Sequence, residues 1–377
     1  MTRWAILTGE YPPQAGGVAD YTEQVARGLA NAGDRVNVFA PPCALPDCNP
    51  LEGVSVHRLP DHFGVWGLNH LESMLSAGDR PDQILVQYVP QAFGYKAMNL
   101  RFARWIARRA LHIAPVWVMF HEVMVPFRWW PMKNAILATA HKRMARRIAG
   151  AADRVLVSIP NWGERIRRIS PDSKPAEWLP IPSNIPIADL SQADPKLDGR
   201  SPRTVGHFGT YGEFITGLLD PTLRILLKVP GREALLLGRG GQAFRARMIA
   251  VSPQLADRLH APGELPAADL ARQLRSCHLL LQPYVDGISS RRTSVMAGLA
   301  NSVPLVSNLG ELSEPLWANS QGIRLAPSPD PAALSEAAEA VLAMSGADRA
   351  EMGRQAASLY RERFSLEHTI ARLRNLP

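Results

Sequence analysis

The chain has 377 residues, 46% of them hydrophobic and 20% charged, with 42 basic against 34 acidic side chains and a net charge of +8. That length exceeds what one hydrophobic core usually serves, so two domains are expected; no run of about eighteen apolar residues is present to cross a bilayer. Cys43, Cys48 and Cys277 are odd in number and lack metal-ligand spacing, which argues against a disulfide framework and for reduced thiols.

Met1-Thr-Arg leads directly into an apolar strand, predicted over 3–8, with no secretory leader, so a cytoplasmic protein is expected. Pro12, Pro13, Gly16 and Gly17 then break regular structure before an amphipathic helix at 18–32. Gly16 and Gly17 have no side chains, so the backbone there can take positive φ and let a hydroxylated or anionic ligand approach the helix amides. Strands follow at 35–40, 54–59, 83–88, 115–120 and 154–158, with helices at 95–113, 133–150 and 160–169. This alternation is the rhythm of a parallel sheet covered on both faces.

Two segments of this half concentrate cations and aromatics: 101–109, and 128–147 with Trp129, Trp130, Lys133, Lys142, Arg143, Arg146 and Arg147. They read either as solvated helix faces or as a surface for an anionic membrane, with Trp at headgroup depth. No nucleic-acid-binding module accompanies them, so no nucleic acid partner is expected.

Residues 179–202 turn rich in Pro, Ser, Asp and Gly, and a linker is placed at 181–202 between a domain at 1–180 and one at 203–360. The second domain repeats the alternation, with strands near 204–208, 233–237, 257–260, 278–282 and 303–307. Its helices are predicted near 213–228, 241–250, 267–275 and 291–300. Two Ala- and Glu-rich helical segments follow Pro331, and a last helix within 361–377 is expected to pack back on the first domain. The fold class is therefore α/β: two Rossmann-like, doubly wound domains facing a central cleft, where loops at the carboxyl ends of the strands gather ligands.

In this order, several pieces resemble the retaining glycosyltransferases of family 4, which have the GT-B fold: Thr8-Gly-Glu-Tyr-Pro-Pro with Gly16-Gly17, Phe120-His121-Glu122, Leu179-Pro-Ile-Pro-Ser-Asn, and Phe208-Gly-Thr-Tyr-Gly212. Leu236-Leu-Gly-Arg-Gly-Gly241, Asp286-Gly287 and Met296-Ala-Gly-Leu-Ala-Asn-Ser-Val-Pro-Leu-Val306 complete the series. The resemblance implies that Gly16 and Gly17 lie between acceptor and donor and that His121 sits near the transferred sugar. It also places Asp286 where the family's first donor-binding glutamate stands, while Ser294 replaces the second. The family's Arg and Lys after the first strand of this domain are absent from Gly209-Thr210-Tyr211-Gly212. Arg291 and Arg292, beside Ser289 and Ser290 at a helix start, are the natural replacements for holding a diphosphate, with Arg239 as a second candidate.

The resemblance implies a metal-independent, cofactor-free transfer of a sugar from a nucleoside-diphosphate sugar to a hydroxylated acceptor. A glycan or a lipid-linked glycan are the two acceptor classes; the Trp- and Arg-rich helices suggest the lipid-linked one, handled at the inner face of a membrane, with polysaccharide biosynthesis a natural setting. The alternative is a catalytically silent sugar-nucleotide-binding or scaffold protein of the same fold. A sugar-nucleotide epimerase would need an acid/base carboxylate pair that is not identifiable. A zinc protease is excluded because Val125 stands where His121-Glu122 needs its second His, and neither glycine cluster has the spacing of a nicotinamide-binding domain.

Overall fold

The computed structural model describes residues 1–45, 51–77, 80–94, 97–108, 110–125, 132–189 and 204–375. Cys48, Arg109, Arg128, Trp129 and Trp130 lie outside the described residues. The chain divides into two compact units, Met1–Pro180 together with Thr369–Pro377, and Ile181–His368.

The first unit is built on a seven-stranded parallel sheet of strands β1 (Arg3–Thr8), β2 (Arg35–Ala40), β3 (Val54–Arg58), β4 (Gln83–Tyr88), β5 (Val116–Phe120), β6 (Arg154–Val157) and β7 (Ala176–Trp178). Its order is β3-β2-β1-β4-β5-β6-β7. β4 and β5 are buried at every position, as expected for central strands covered on both faces. The covering helices are α1 (Gly17–Asn31), α2 (Val65–Ser76), α3 (Leu100–Arg108), α4 (Met132–Ala151) and α5 (Pro160–Ile169).

Neither α2 nor β7 is expected from periodicity. Gly67, Asn69 and His70 dilute the apolar pattern of α2, which is started instead by Asp61, whose Oδ1 accepts from the amides of Gly64 at 2.7 Å and Gly67 at 3.1 Å. The helix expected over 95–113 is shorter: Asn99 Oδ1 accepts from the Phe102 amide at 2.9 Å and opens α3, and a 3-10 turn at Ala110–His112 follows its end.

The second unit holds a six-stranded parallel sheet of β8 (Thr204–Phe208), β9 (Glu233–Leu237), β10 (Leu259–His260), β11 (Leu279–Leu281), β12 (Leu305–Asn308) and β13 (Ile323–Ala326), in the order β10-β9-β8-β11-β12-β13. Helices α6 (Glu213–Leu226), α7 (Gly241–Val251), α8 (Ala267–Arg275), α9 (Thr293–Ala300), α10 (Pro331–Leu342) and α11 (Gly346–Arg363) cover it. Leu219, Leu223, Phe244, Leu279, Leu281 and Leu334 form the centre of one core. Each sheet reverses its winding between its first and fourth strands, β1 and β4 in one unit and β8 and β11 in the other. In doubly wound sheets ligands gather outside the carboxyl ends at that switch point.

The described part of the expected linker, 181–189, is ordered on the second unit. Ile181 N donates to Ser290 O at 3.2 Å, and Ala188 N to Asn301 Oδ1 at 2.9 Å. The rest, 190–202, lies outside the described residues. The last helix, α12 (Leu366–Asn375), ends on the first unit, where Arg374 Nε meets Asp34 Oδ2 at 3.1 Å. Asp34 has no exposed side-chain surface there and also accepts from Thr2 N at 2.9 Å and Trp4 Nε1 at 3.2 Å.

Candidate functional site

At the switch point of the first unit, a polar row crosses three strands. Thr8 of β1 is in register with Gln87 of β4, and Gln87 with Met119 of β5. Side chains alternate with a period of two, so His121, two residues beyond Met119, shares their face. That face lies under α1: Thr8 Oγ1 is 3.4 Å from Thr22 Oγ1, and the Tyr21 ring meets the His121 ring edge-on at 4.8 Å.

His121 is buried. Its Nε2 lies 2.8 Å from Gln87 Oε1, and its carbonyl accepts from Trp162 Nε1 at 2.8 Å and Ser158 Oγ at 3.1 Å. Burial pushes the imidazole pKa down to about 3, so the ring is neutral at working pH. A neutral ring can orient a sugar hydroxyl by hydrogen bonding.

The Gly16-Gly17 loop differs from the sequence expectation. Gly16 is extended at φ −177°, and neither glycine adopts a positive φ. Glu10 Oε1 accepts from the amides of Val18 at 3.0 Å and Ala19 at 3.2 Å, so the chain's own carboxylate occupies the start of α1. Gly16 is needed for another reason: a Cβ there would collide with the Glu10 carboxylate, whereas one on Gly17 would meet open space. Burial raises the Glu10 pKa, and the two amide bonds hold that rise back.

In the second unit the predicted residues converge after β11. Asp286 Oδ2 accepts from Arg291 Nη2 at 2.6 Å, and Asp286 Oδ1 accepts from Arg292 Nη2. Arg292, the residue that opens α9, lies over the Tyr284 ring with its guanidinium carbon 4.4 Å from the centroid. The Tyr284 hydroxyl is 2.8 Å from Ser294 Oγ, which ties Ser294 into the same cluster. Gly287 turns the chain at φ +84°, packed so closely on Gly310 that no side chain fits.

Ser289 and Ser290, expected among the phosphate ligands, are fully buried beneath this cluster. Ser290 is committed to Glu314, whose Oε1 accepts from its amide at 2.9 Å and from its hydroxyl, while Oε2 accepts from Trp317 Nε1 at 2.5 Å. Burial raises the Glu314 pKa, and these donors oppose the rise. Gly209 and Thr210 follow β8 across the switch point from β11, and Arg239 is exposed in the loop after β9. Gly238 and Gly240 of that loop have φ of +97° and +92°, and a Cβ on Gly238 would strike the Gly209 carbonyl.

Sequence reasoning missed Glu10, Gln87, His207, Tyr284 and Glu314. Gln87 had one signal, a polar residue near the end of an otherwise apolar strand. His207 lies within β8, its Nδ1 2.8 Å from the Leu281 carbonyl, and burial lowers its pKa to about 4.

On the helices of the first unit, Arg101, Arg104 and Arg108 of α3 and Lys133, Lys142, Arg143, Arg146 and Arg147 of α4 are exposed, with no ion-pair partner among the described residues. Trp105 does not join them at the surface: it is buried, and its Nε1 donates to Glu72 Oε2 at 3.2 Å. Exposed apolar groups are Val65 and Trp66 on α2, Met98 and Leu100 at the start of α3, Met132 and Ile136 on α4, and Leu111 past the end of α3. All but Leu111 sit at or near the first turns of helices that leave the carboxyl edge of the sheet. No helix among the described residues is long and apolar enough to cross a membrane.

Residues 16–182 match the family described as the glycosyl transferase 4-like domain. Among solved structures, sucrose-phosphate synthase from Thermosynechococcus elongatus superposes with a TM-score of 0.76 at 16% identity, covering 99% of this chain and 97% of that one. HepE from Anabaena in complex with UDP and glucose gives 0.68 at 13% identity, covering 99% and 98%. WaaG, a glycosyltransferase involved in lipopolysaccharide biosynthesis, gives 0.63 at 13% identity, covering 100% of both. No curated protein matches the chain by sequence.

Proposed function

We propose that the chain is a glycosyltransferase that moves a sugar from a nucleoside-diphosphate sugar to a hydroxylated acceptor with retention at the anomeric carbon, a reading supported by the glycosyl transferase 4-like match at residues 16–182 and the GT-B fold. The observation that carries the donor assignment is the Arg291–Arg292 pair at the carboxyl edge of the second sheet. A departing nucleoside diphosphate gains negative charge in the transition state, and two guanidinium groups supply the opposing potential without a metal ion. Asp286 stands next to that charge and accepts sugar hydroxyls once released from the arginines. Arg239, Gly209 and Thr210 border the same switch point. In the first unit, the neutral His121 ring orients the transferred sugar, and the leaving phosphate takes the proton of the acceptor hydroxyl.

The unpaired cations of α3 and α4, with Trp66, Met132 and Ile136 nearby in the fold, support a lipid-linked glycan acceptor met at the anionic inner face of a membrane. UDP-bound neighbours such as HepE make uridine diphosphate the first donor nucleotide to test.

A second reading rests on a specific observation. Asp286 engages both arginines at once, and Ser294 offers no carboxylate to a ribose, as in a sugar-nucleotide-binding scaffold without turnover. Calorimetric titration of UDP, GDP and ADP, with and without EDTA, tests the proposal. One nucleotide is expected to bind in EDTA and to lose at least about tenfold in affinity in the R291A/R292A variant. Undiminished binding in that variant rejects the arginine pair as the diphosphate site, and binding without any transfer or donor hydrolysis favours the scaffold.

A further inference from the structure

Gln87 occupies an expensive position. It has no exposed surface, in a strand buried along its whole length, where leucine or methionine would fill similar volume without a polar group to satisfy. Its Oε1 is 2.8 Å from His121 Nε2, while its Nε2 has no hydrogen-bond partner among the described residues. One arm of the amide is thus spent on the histidine, at the carboxyl ends of the adjacent strands β4 and β5.

We propose that Gln87 is a positioning residue that fixes the tautomer of His121: its carbonyl accepts a hydrogen bond from Nε2–H, so that Nδ1 carries the lone pair and accepts a hydrogen bond from a hydroxyl of the sugar. The proposal rests on the reading that His121 meets the transferred sugar. An imidazole left to itself exchanges between two tautomers, and only one presents an acceptor at a given nitrogen. An amide carbonyl selects the tautomer while favouring the imidazolium only weakly, whereas a carboxylate in its place would favour it strongly.

The surroundings of the ring suit that division of labour. Tyr21 of α1 covers one side, its hydroxyl pushed well above the ordinary range by burial. Trp162 of α5 donates to the His121 carbonyl and not to the ring. Glu122, the next residue, accepts from Gln91 Nε2 at 3.4 Å. Gln87 is therefore the side chain bonded to a ring nitrogen, through the hydrogen bond already described.

Nitrogen-detected NMR of histidine-labelled full-length protein, assigned with H121A, reads the tautomer without any substrate. The Nε2–H form is expected in the wild type; the Nδ1–H form overturns the proposal. Transfer assays then separate positioning from packing. Q87M, which keeps the volume, is expected to lower kcat about tenfold with little change in acceptor KM. Q87E is expected to raise the His121 titration midpoint and the acid limb of kcat/KM together by about 1–2 pH units. Wild-type kcat in Q87M, or an acid limb unmoved in Q87E, overturns the proposal. Wild-type kcat in H121A overturns it together with the role of His121, and the substrate-free tautomer tells that failure apart from an error about Gln87.

Discussion

Asp286 accepts from Arg291 and Arg292 at once, so the positive potential that a diphosphate would meet is partly cancelled by the chain itself. All three side chains are about a fifth to a quarter exposed, so water screens the pair and the competition is modest. D286N keeps an acceptor oxygen and removes the charge. It is expected to bind free nucleoside diphosphate about three- to tenfold more tightly, a change of ~1 kcal/mol, while turnover of the sugar donor falls because no carboxylate remains for the sugar hydroxyls. Weaker nucleotide binding in a titration of D286N would reverse this account and make Asp286 an organiser of the arginines. The sequence exposes these residues as a polar cluster but not their mutual pairing. Charge neutralisation depends on which way each side chain turns at Gly287, and spacing says nothing of that. Ser289 and Ser290 show the same limit: polar in sequence, both are buried in the fold, where Ser290 is bonded to Glu314, more than twenty residues on.

At the scale of elements, most strands were legible because central parallel strands are short, apolar and bounded by turn residues, as in β1, β4 and β8. α2 was hidden because its boundary is drawn by the Asp61 side chain, and β7 (Ala-Glu-Trp) and β13 (Ile-Arg-Leu-Ala) because a charged side chain interrupts each apolar run. The cationic helices show how an element can be found and its faces still misjudged. α3 places Arg101, Arg104 and Arg108 outward and Phe102, Trp105 and Ile106 inward, so the aromatic residue expected at a lipid surface is part of the core. What remains for an interface is charge on α3 and α4 and the apolar groups Trp66, Met132 and Ile136. Each exposed Lys or Arg near an anionic leaflet contributes about 1 kcal/mol. Co-sedimentation with phosphatidylserine vesicles is expected at low ionic strength and not with purely phosphatidylcholine vesicles, and K142E/R143E/R146E/R147E is expected to weaken it at least about a hundredfold. Equal sedimentation of that variant would leave the basic face as ordinary solvated surface.

The whole molecule repeats one solution, because right-handed crossovers around a first central strand yield the same order, third-second-first-fourth-fifth-sixth, in both sheets. Both units also bury a neutral histidine at the carboxyl edge of the sheet, and this gives the chain a definite response to acid. His121 titrates near 3 and His207 near 4 in the folded state, against about 6.5 in an unfolded chain, and burial is the leading cause in each. Between those values the unfolded chain binds a proton that the folded unit does not, so stability is fully present above about pH 6.5 and is lost as pH falls through the window. Each histidine contributes a slope of up to about 1.4 kcal/mol per pH unit, in different units of the chain. Glu10 and Glu314, raised by burial, act in the opposite direction from about pH 4.5 upward, because their folded forms hold protons that the unfolded chain has released. Urea unfolding followed from pH 7.5 to pH 5 is therefore expected to show falling stability, with the loss setting in below about pH 6.5, where the unfolded imidazoles take up protons. H207F is expected to flatten the response of the unit that contains it while leaving that of the other intact. A flat stability profile over that range, or equal flattening of both units, would mean that these imidazoles are hydrated in solution and that the two switch points are more open than their buried histidines imply.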